Sequence, residues 1–205
     1  AGVPLRLGHA VSAVEPTANG GVRLLCQNGY QEDFHQTVLT VATPLASRMC
    51  LHLSADEHAR LNGVQYQGII CASLLLEKPL AGFYVTNITD GWVPFTAVIE
   101  MSAFVNRQHF GGTHIVYLPK YVLPDDPAFA LSDTEIEEQF TSALLRMYPH
   151  LQRRDVLCCR ISRVRHVLAV STLHYSSCLP SMTTSLPGVH LVNSVHILNG
   201  TLNAN

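Results

Sequence analysis

The chain has 205 residues, 47% of them apolar and only 14% charged, with a formal net charge of -2. That composition excludes a disordered or solvating segment and fits one large domain, or one and a half, around a sizeable core. It also argues against a nucleic-acid partner, because the one cationic cluster (Arg153, Arg154, Arg160, Arg163 and Arg165) reads as a solvated strand face.

The first apolar stretch, Leu5 to Val14, reads as a strand kinked at Gly8. Pro16 to Gly21 is a turn, Val22 to Cys26 a second strand, and Asn28-Gly29 a hairpin signal. Gln31 to Ala42 reads as a third strand that closes a β-meander and ends before Thr43-Pro44. Ser54 and Glu57 form a capping box for a helix stopping at Asn62-Gly63. Tyr66 to Leu76 is a long strand, followed by shorter ones at Phe83 to Thr86, Phe95 to Glu100 and His114 to Leu118. Three prolines in Pro119 to Pro127 argue against a central strand there.

A second capping box, Ser132 with Glu135, precedes Ile136, Phe140, Leu144 and Met147 at helical spacing, which predicts a helix over 133–148. Val156 to Val170 reads as a further long strand, Ser171 to Leu186 as a loop, and Val189 to Val192 as a buried tail strand. Asn199 or Thr201 could cap a helix that does not follow. Strands outnumber helices without βαβ alternation, so the expected class is α+β. The first 45 residues and the last 20 should belong together, with 48–175 as a separate lobe.

No apolar run approaches the roughly 18 residues of a membrane span. The start, Ala1-Gly2-Val3-Pro4, lacks an initiator Met and a basic signal region, which suggests an excised or processed piece. Six cysteines without a C-x-x-C point to a reducing, cytoplasmic setting, where the sequons at Asn87 and Asn199 would stay bare. The eleven histidines are scattered without H-x-H or H-x-x-x-H spacing, so no metal site is expected. There is no G-x-S-x-G, and Asp125-Asp126 and Glu135, Glu137 and Glu138 sit on solvated segments, so neither a hydrolase nor a carboxylate pair is indicated. Gly20-Gly21 and Gly111-Gly112 are turn pairs, so the chain has no phosphate-binding glycine loop of its own.

Three separated segments carry a resemblance. They are LRLGHAVSAVEP with GVRLLCQNG and QTVLTVATP, then VLAVSTLHYSSCLPSM, then LPGVHLVNSVHILNGTLNAN. In order and spacing they resemble the later two thirds of the flavin-containing amine oxidase and protoporphyrinogen oxidase superfamily. The resemblance implies that 1–47 and 176–205 belong to an FAD-binding domain and 48–175 to a substrate lobe of antiparallel or mixed sheet with helices. It implies a glycine-fingerprint unit outside this chain, without which the piece alone should not retain FAD.

By the same resemblance Val11 would meet the adenine, and Ala42, Thr43 and Pro44 would run near the flavin. Asn193 and Ser194 would lie near the ribityl chain, with Val195 where the family has an acid. Asn199, Gly200, Thr201, Leu202 and Asn203 would turn amides toward the flavin pyrimidine, where a helix N-terminus stabilises negative charge. Tyr66, Phe95, Tyr117 and Tyr175 would line the substrate cavity. The implied activity is hydride transfer from a small organic substrate to FAD. The alternatives are a flavin-dependent isomerase of the sugar-nucleotide mutase kind, with Arg160, Arg163 and Arg165 meeting a diphosphate, or an α+β binding module without catalysis. Uncovered cofactor-side surfaces would be available to pair as a homodimer.

Overall fold

A computed structural model describes residues 2–198, and its contacts fall into two compact units. One is built from residues up to Gln65 and from Leu168 onward, the other from Tyr66 to Val167. The fold is α+β, as expected from the strand-rich, non-alternating order.

In the first unit β1 (Val11–Pro16), β2 (Val22–Cys26) and β3 (Gln31–Phe34) form an antiparallel meander in that order. The Asn28-Gly29 hairpin forms as its residue types dictate. Gly29 takes φ +81, and the Asn28 side chain accepts the Tyr30 amide at 3.0 Å. Two expectations need correction here. The first strand begins at Val11 rather than Leu5, since Val3, Leu5 and Leu7 are about four-fifths exposed and meet no core. The stretch read as one strand from Gln31 to Ala42 is two strands, β3 and then β4 (Thr37–Leu39). The break falls at His35-Gln36, where the Thr37 amide leaves the meander and donates to Gly188 O at 2.7 Å.

That bond starts a parallel pair between β4 and the tail strand β10 (Val189–Leu191), with Thr37, Val38 and Leu39 opposite Val189, His190 and Leu191. Behind the pair lie α1 (Thr43–Met49), with Pro44 in its first turn, and α2 (Ala55–Gly63), opened by the Ser54–Glu57 capping box. Val14, Val22, Leu39, Met49, Leu61 and Leu191 are among the buried residues of one shared core. Helix α2, which the sequence reading grouped with the middle segment, contributes Leu61 to that core.

The second unit is a five-stranded sheet of order β6-β7-β8-β5-β9. Its strands are β5 (Tyr66–Leu76), β6 (Val85–Asn87), β7 (Ala97–Glu100), β8 (His114–Val122) and β9 (Val156–Ala169). The β5 alternation is complete: every even residue from Tyr66 to Leu76 is buried and every odd one is half-buried. Helix α3 (Asp133–Met147) lays Ile136, Phe140, Ala143 and Leu144 on the face that carries Ile70, Ala72, Leu74 and Leu76.

The proline argument against a central strand at Pro119 fails. Strand β8 runs through Pro119 to Val122, between β7 and β5, with Pro119 opposite Cys71. In an antiparallel strand the N and C=O of one residue point to the same neighbour. The Pro119 carbonyl accepts Thr96 N at 2.8 Å, on the β7 side, where the paired register of β7 has already ended at Tyr117. The missing N–H therefore costs no ladder bond to β5.

Candidate functional site

The parallel strands β4 and β10 end side by side, and each runs directly into a helical turn: α1 after β4, a 3-10 turn at Ser194–His196 after β10. Val192 N donates to Leu39 O at 2.9 Å, and the Asn193 side chain donates to Val41 O at 2.7 Å while accepting Val195 N at 3.1 Å. Asn193 thus clamps the two strand exits together. Of the sequence-predicted residues, Asn193 and Ser194 stand beside the Val41–Pro44 corner. Thr43 is fully buried, and Ala42 and Pro44 are half-buried. Val195 is fully buried, so its apolar side chain packs where the resemblance has an acid. The loop before β10 is tied to the same end, with Tyr175 donating from its hydroxyl to Val195 O at 2.9 Å and Leu191 N donating to Met182 O at 2.8 Å. Asn199, Gly200, Thr201, Leu202 and Asn203 lie outside the described residues.

Two concavities flank this arrangement within the first unit. One, of about 450 Å³, is walled by Val11, Leu24, Thr37, Val41 and Met49 among others. The Thr37 hydroxyl is buried with no hydrogen-bond partner among the described residues, so this apolar trough holds one unsatisfied polar atom. The other, of about 420 Å³, lies between α2 and the short helix α4 (Tyr175–Cys178), with Asp56, Arg60, Gln65, Thr172, Tyr175 and Cys178 in its wall. Its charges are already matched, Arg60 lying 2.9 Å from Asp56 one helical turn away.

The second unit presents the sheet face turned away from α3. Gln67, Ile69, Cys71, Ser73 and Leu75 of β5 alternate onto it. Across the ladder Ile69 faces Tyr121, Ser73 faces Tyr117 and Leu75 faces Ile115. On the far side of β8, Ile99 of β7 faces Tyr117. The result is a half-buried surface of branched aliphatic groups with two phenols. Tyr117 lies on it. Tyr66 and Phe95 do not: both are core residues, 5% and 3% exposed, and Phe95 packs edge-on to Phe140 at 5.5 Å.

Three of the six thiols are poorly suited to act as nucleophiles. Burial pushes the Cys71 thiol up, and it pushes Cys50 and Cys159 up to about 11. No group of three metal-ligating side chains occurs among the described residues.

Comparison with known proteins fits this geometry. The sequence profile of the flavin containing amine oxidoreductases matches residues 1–199. The chain belongs to that family. A comparison with curated proteins returned no match. Among solved structures it is similar to an Exiguobacterium sp. 255-15 protein assigned as a protoporphyrinogen oxidase, at 16% identity and TM-score 0.68, covering 93% of this chain and 42% of that one. A Methanosarcina mazei oxidoreductase is similar at 19% identity and TM-score 0.64, covering 92% and 44%. A reduced UDP-galactopyranose mutase follows at 12% identity and TM-score 0.65, covering 85% and 38%. At these identities the likeness shows the fold, and the chain spans about two fifths of the length of each neighbour.

Membership in the amine oxidoreductase family supplies what the residues alone do not, a flavin as the group that family members use. The concavity around Val11 is compatible with one end of such a cofactor, since apolar walls suit a flat ring and the unsatisfied Thr37 hydroxyl needs a polar partner. Sequence reasoning missed Thr37; a lone Thr at the start of a strand gives no signal until burial isolates its hydroxyl.

Proposed function

We propose that this chain supplies the substrate-facing sheet and part of the cofactor wall of an FAD-dependent oxidoreductase of the amine-oxidase type. Its substrate is a small organic molecule that gives up a hydride. Family membership over residues 1–199 carries this reading. The β4–β10 pair supports it. Two parallel strands of three residues, with no third strand beside β4 among the described residues, bury too little to stand alone. A dinucleotide-binding sheet would complete such a pair, and in sheets of that kind ligands sit outside the carboxyl ends of the strands.

In this reading Val11 and Thr37 hold the adenine end. Ala42, Thr43, Pro44, Asn193 and Ser194 line the strand exits, and Asn199, Gly200, Thr201, Leu202 and Asn203 follow on the resemblance alone. Bound FAD would supply the hydride acceptor. The chain's own residues bind and orient. Ile69, Ile99 and Ile115 would exclude water from the substrate, and the Tyr117 and Tyr121 hydroxyls would position it by hydrogen bonds. All six cysteines are free thiols, which favours a reducing, cytoplasmic compartment.

The test is spectroscopic. Purified with the glycine-fingerprint unit of its family, the chain should carry the two visible absorption bands of oxidised flavin. Those bands should bleach when an oxidisable substrate is supplied without oxygen. A colourless protein that stays colourless with added FAD overturns the reading.

A further inference from the structure

The arginines near β9 differ in what they already hold. Arg153 pairs with Glu137 at 3.2 Å and Glu138 at 3.5 Å. Arg163 pairs with Asp133 and donates to Leu131 O at 2.7 Å. Arg165 donates to Pro124 O and stacks over Phe129, 4.4 Å from the ring centroid. Arg160 is exposed and has no ion pair or hydrogen bond among the described residues.

Its position gives that free charge a direction. Cys159 and Ile161, on either side, pack against the core under α3, so the strand period turns Arg160 to the opposite face. There β9 lies next to β5, whose half-buried residues include Cys71 and Ser73. The cation of β8, Lys120, is opposite Ile70 and belongs to the α3 side. The open face therefore combines an apolar floor, two phenols and one uncommitted guanidinium.

We propose that this face binds an amphipathic monocarboxylate, its apolar body on Ile69, Ile99, Ile115, Tyr117 and Tyr121 and its carboxylate on Arg160. The proposal rests on the reading of this face as the substrate side and names the substrate class. A guanidinium offers a planar fork that matches one carboxylate with two parallel hydrogen bonds. It balances one negative charge. A sugar-nucleotide diphosphate brings more than one, and Arg163 and Arg165, the cations that would meet the excess, are committed on the α3 side. A second phosphate charge on this apolar surface would stay unpaired, which is costly. The mutase-like alternative is thereby disfavoured.

Pyrenebutyrate, its methyl ester and UDP serve as probes, titrated by fluorescence or competition against wild type, Arg160→Gln, Arg160→Lys and Arg154→Gln. Arg160→Gln should weaken pyrenebutyrate binding about tenfold, the usual size of a charge-assisted contact. Arg160→Lys should fall between, and the ester should bind all four proteins alike. Arg154→Gln, which removes an exposed charge outside the sheet, should bind as wild type. Equal affinity of wild type and Arg160→Gln, an equal loss in Arg154→Gln, or tighter binding of UDP than of pyrenebutyrate overturns the proposal. Flavin absorbance of the same samples, prepared with the glycine-fingerprint unit, separates the two readings. Flavin retained with no Arg160 dependence rejects the carboxylate site alone; Arg160 dependence without flavin rejects the flavoenzyme reading alone.

Discussion

Glu100 closes β7 as a carboxylate only 2% exposed, and it accepts three consecutive backbone amides. Leu80 N donates to one oxygen at 3.0 Å, and Ala81 N and Gly82 N to the other at 3.2 and 2.9 Å. The loop after β5 is thus folded around one anion. A hydrogen bond to a charged group contributes about 1.5–3 kcal/mol, so three would set an upper bound near 4.5–9 kcal/mol. Ala81 and Gly82 are exposed, so their amides can turn to water once the acceptor is gone, whereas Leu80 is 7% exposed and its amide cannot. Glu100→Ala should therefore destabilise the second unit by about 3 kcal/mol, lowering Tm by roughly 12–24 °C for a domain of this size. Glu100→Gln keeps one acceptor oxygen and should lose less. Urea unfolding gives the stability, and amide exchange at Leu80, Ala81 and Gly82 locates it. A loss under about 1 kcal/mol in Glu100→Ala, with those amides still protected, would refute the assignment of the loop to this carboxylate.

Three further outcomes are expected. Burial pushes the Glu57 carboxyl up, but the hydrogen bonds from Ser185 and Ser54 outweigh it and hold it at about 2, below its ordinary 4.5. Its contribution is thus complete above pH 4.5 and lost as pH falls toward 2, and a urea midpoint measured across that window should fall less steeply in Glu57→Gln than in wild type. Gly188 has φ +77 and a Cβ there would come within 2.7 Å of His35 O, so Gly188→Ala should cost about 2–4 kcal/mol and loosen the β4–β10 pair, read by amide exchange at Thr37. Thr141 is fully buried in α3 with a hydroxyl lacking a partner among the described residues, so Thr141→Val should leave stability unchanged or raise it by up to about 1 kcal/mol in thermal unfolding.

Where one local signal decided the structure, the sequence was sufficient. The two Ser…Glu capping boxes opened α2 and α3, and the apolar run stopping at Glu77-Lys78-Pro79 marked the end of β5 to the residue, although its alternating burial shows only in the fold. Non-local partners decided the rest. Gln31 to Ala42 reads as one extended run, yet its second half belongs to a strand far along the chain. Pro119 looks like a breaker until the paired register of β7, the strand its ring nitrogen faces, is known to have ended. Helix α1 spans seven residues with Pro44 as its main cue and no side-chain cap, too short for a helical period to show in the sequence. In the candidate site, Tyr117 was legible from its strand, but Arg160 was not separable from its neighbours. The five arginines look alike until Glu137, Glu138, Asp133, Leu131 and Pro124 are seen to occupy the others.

The pairing of β4 with β10 joins residues 152 positions apart. The contiguous run from Tyr66 to Val167 needs no such reach, and Val170 N bonds Gln65 O at 2.9 Å, bringing the two ends of that run to one point. If the middle folds first, the flexible length left to close shrinks to about 48 residues, which saves roughly 1 kcal/mol of closure entropy. Order of assembly is therefore written into the connectivity: the inserted sheet acts as a clasp that holds the distant strands close enough to find each other, and lesions in its core should delay the first unit as well as the second.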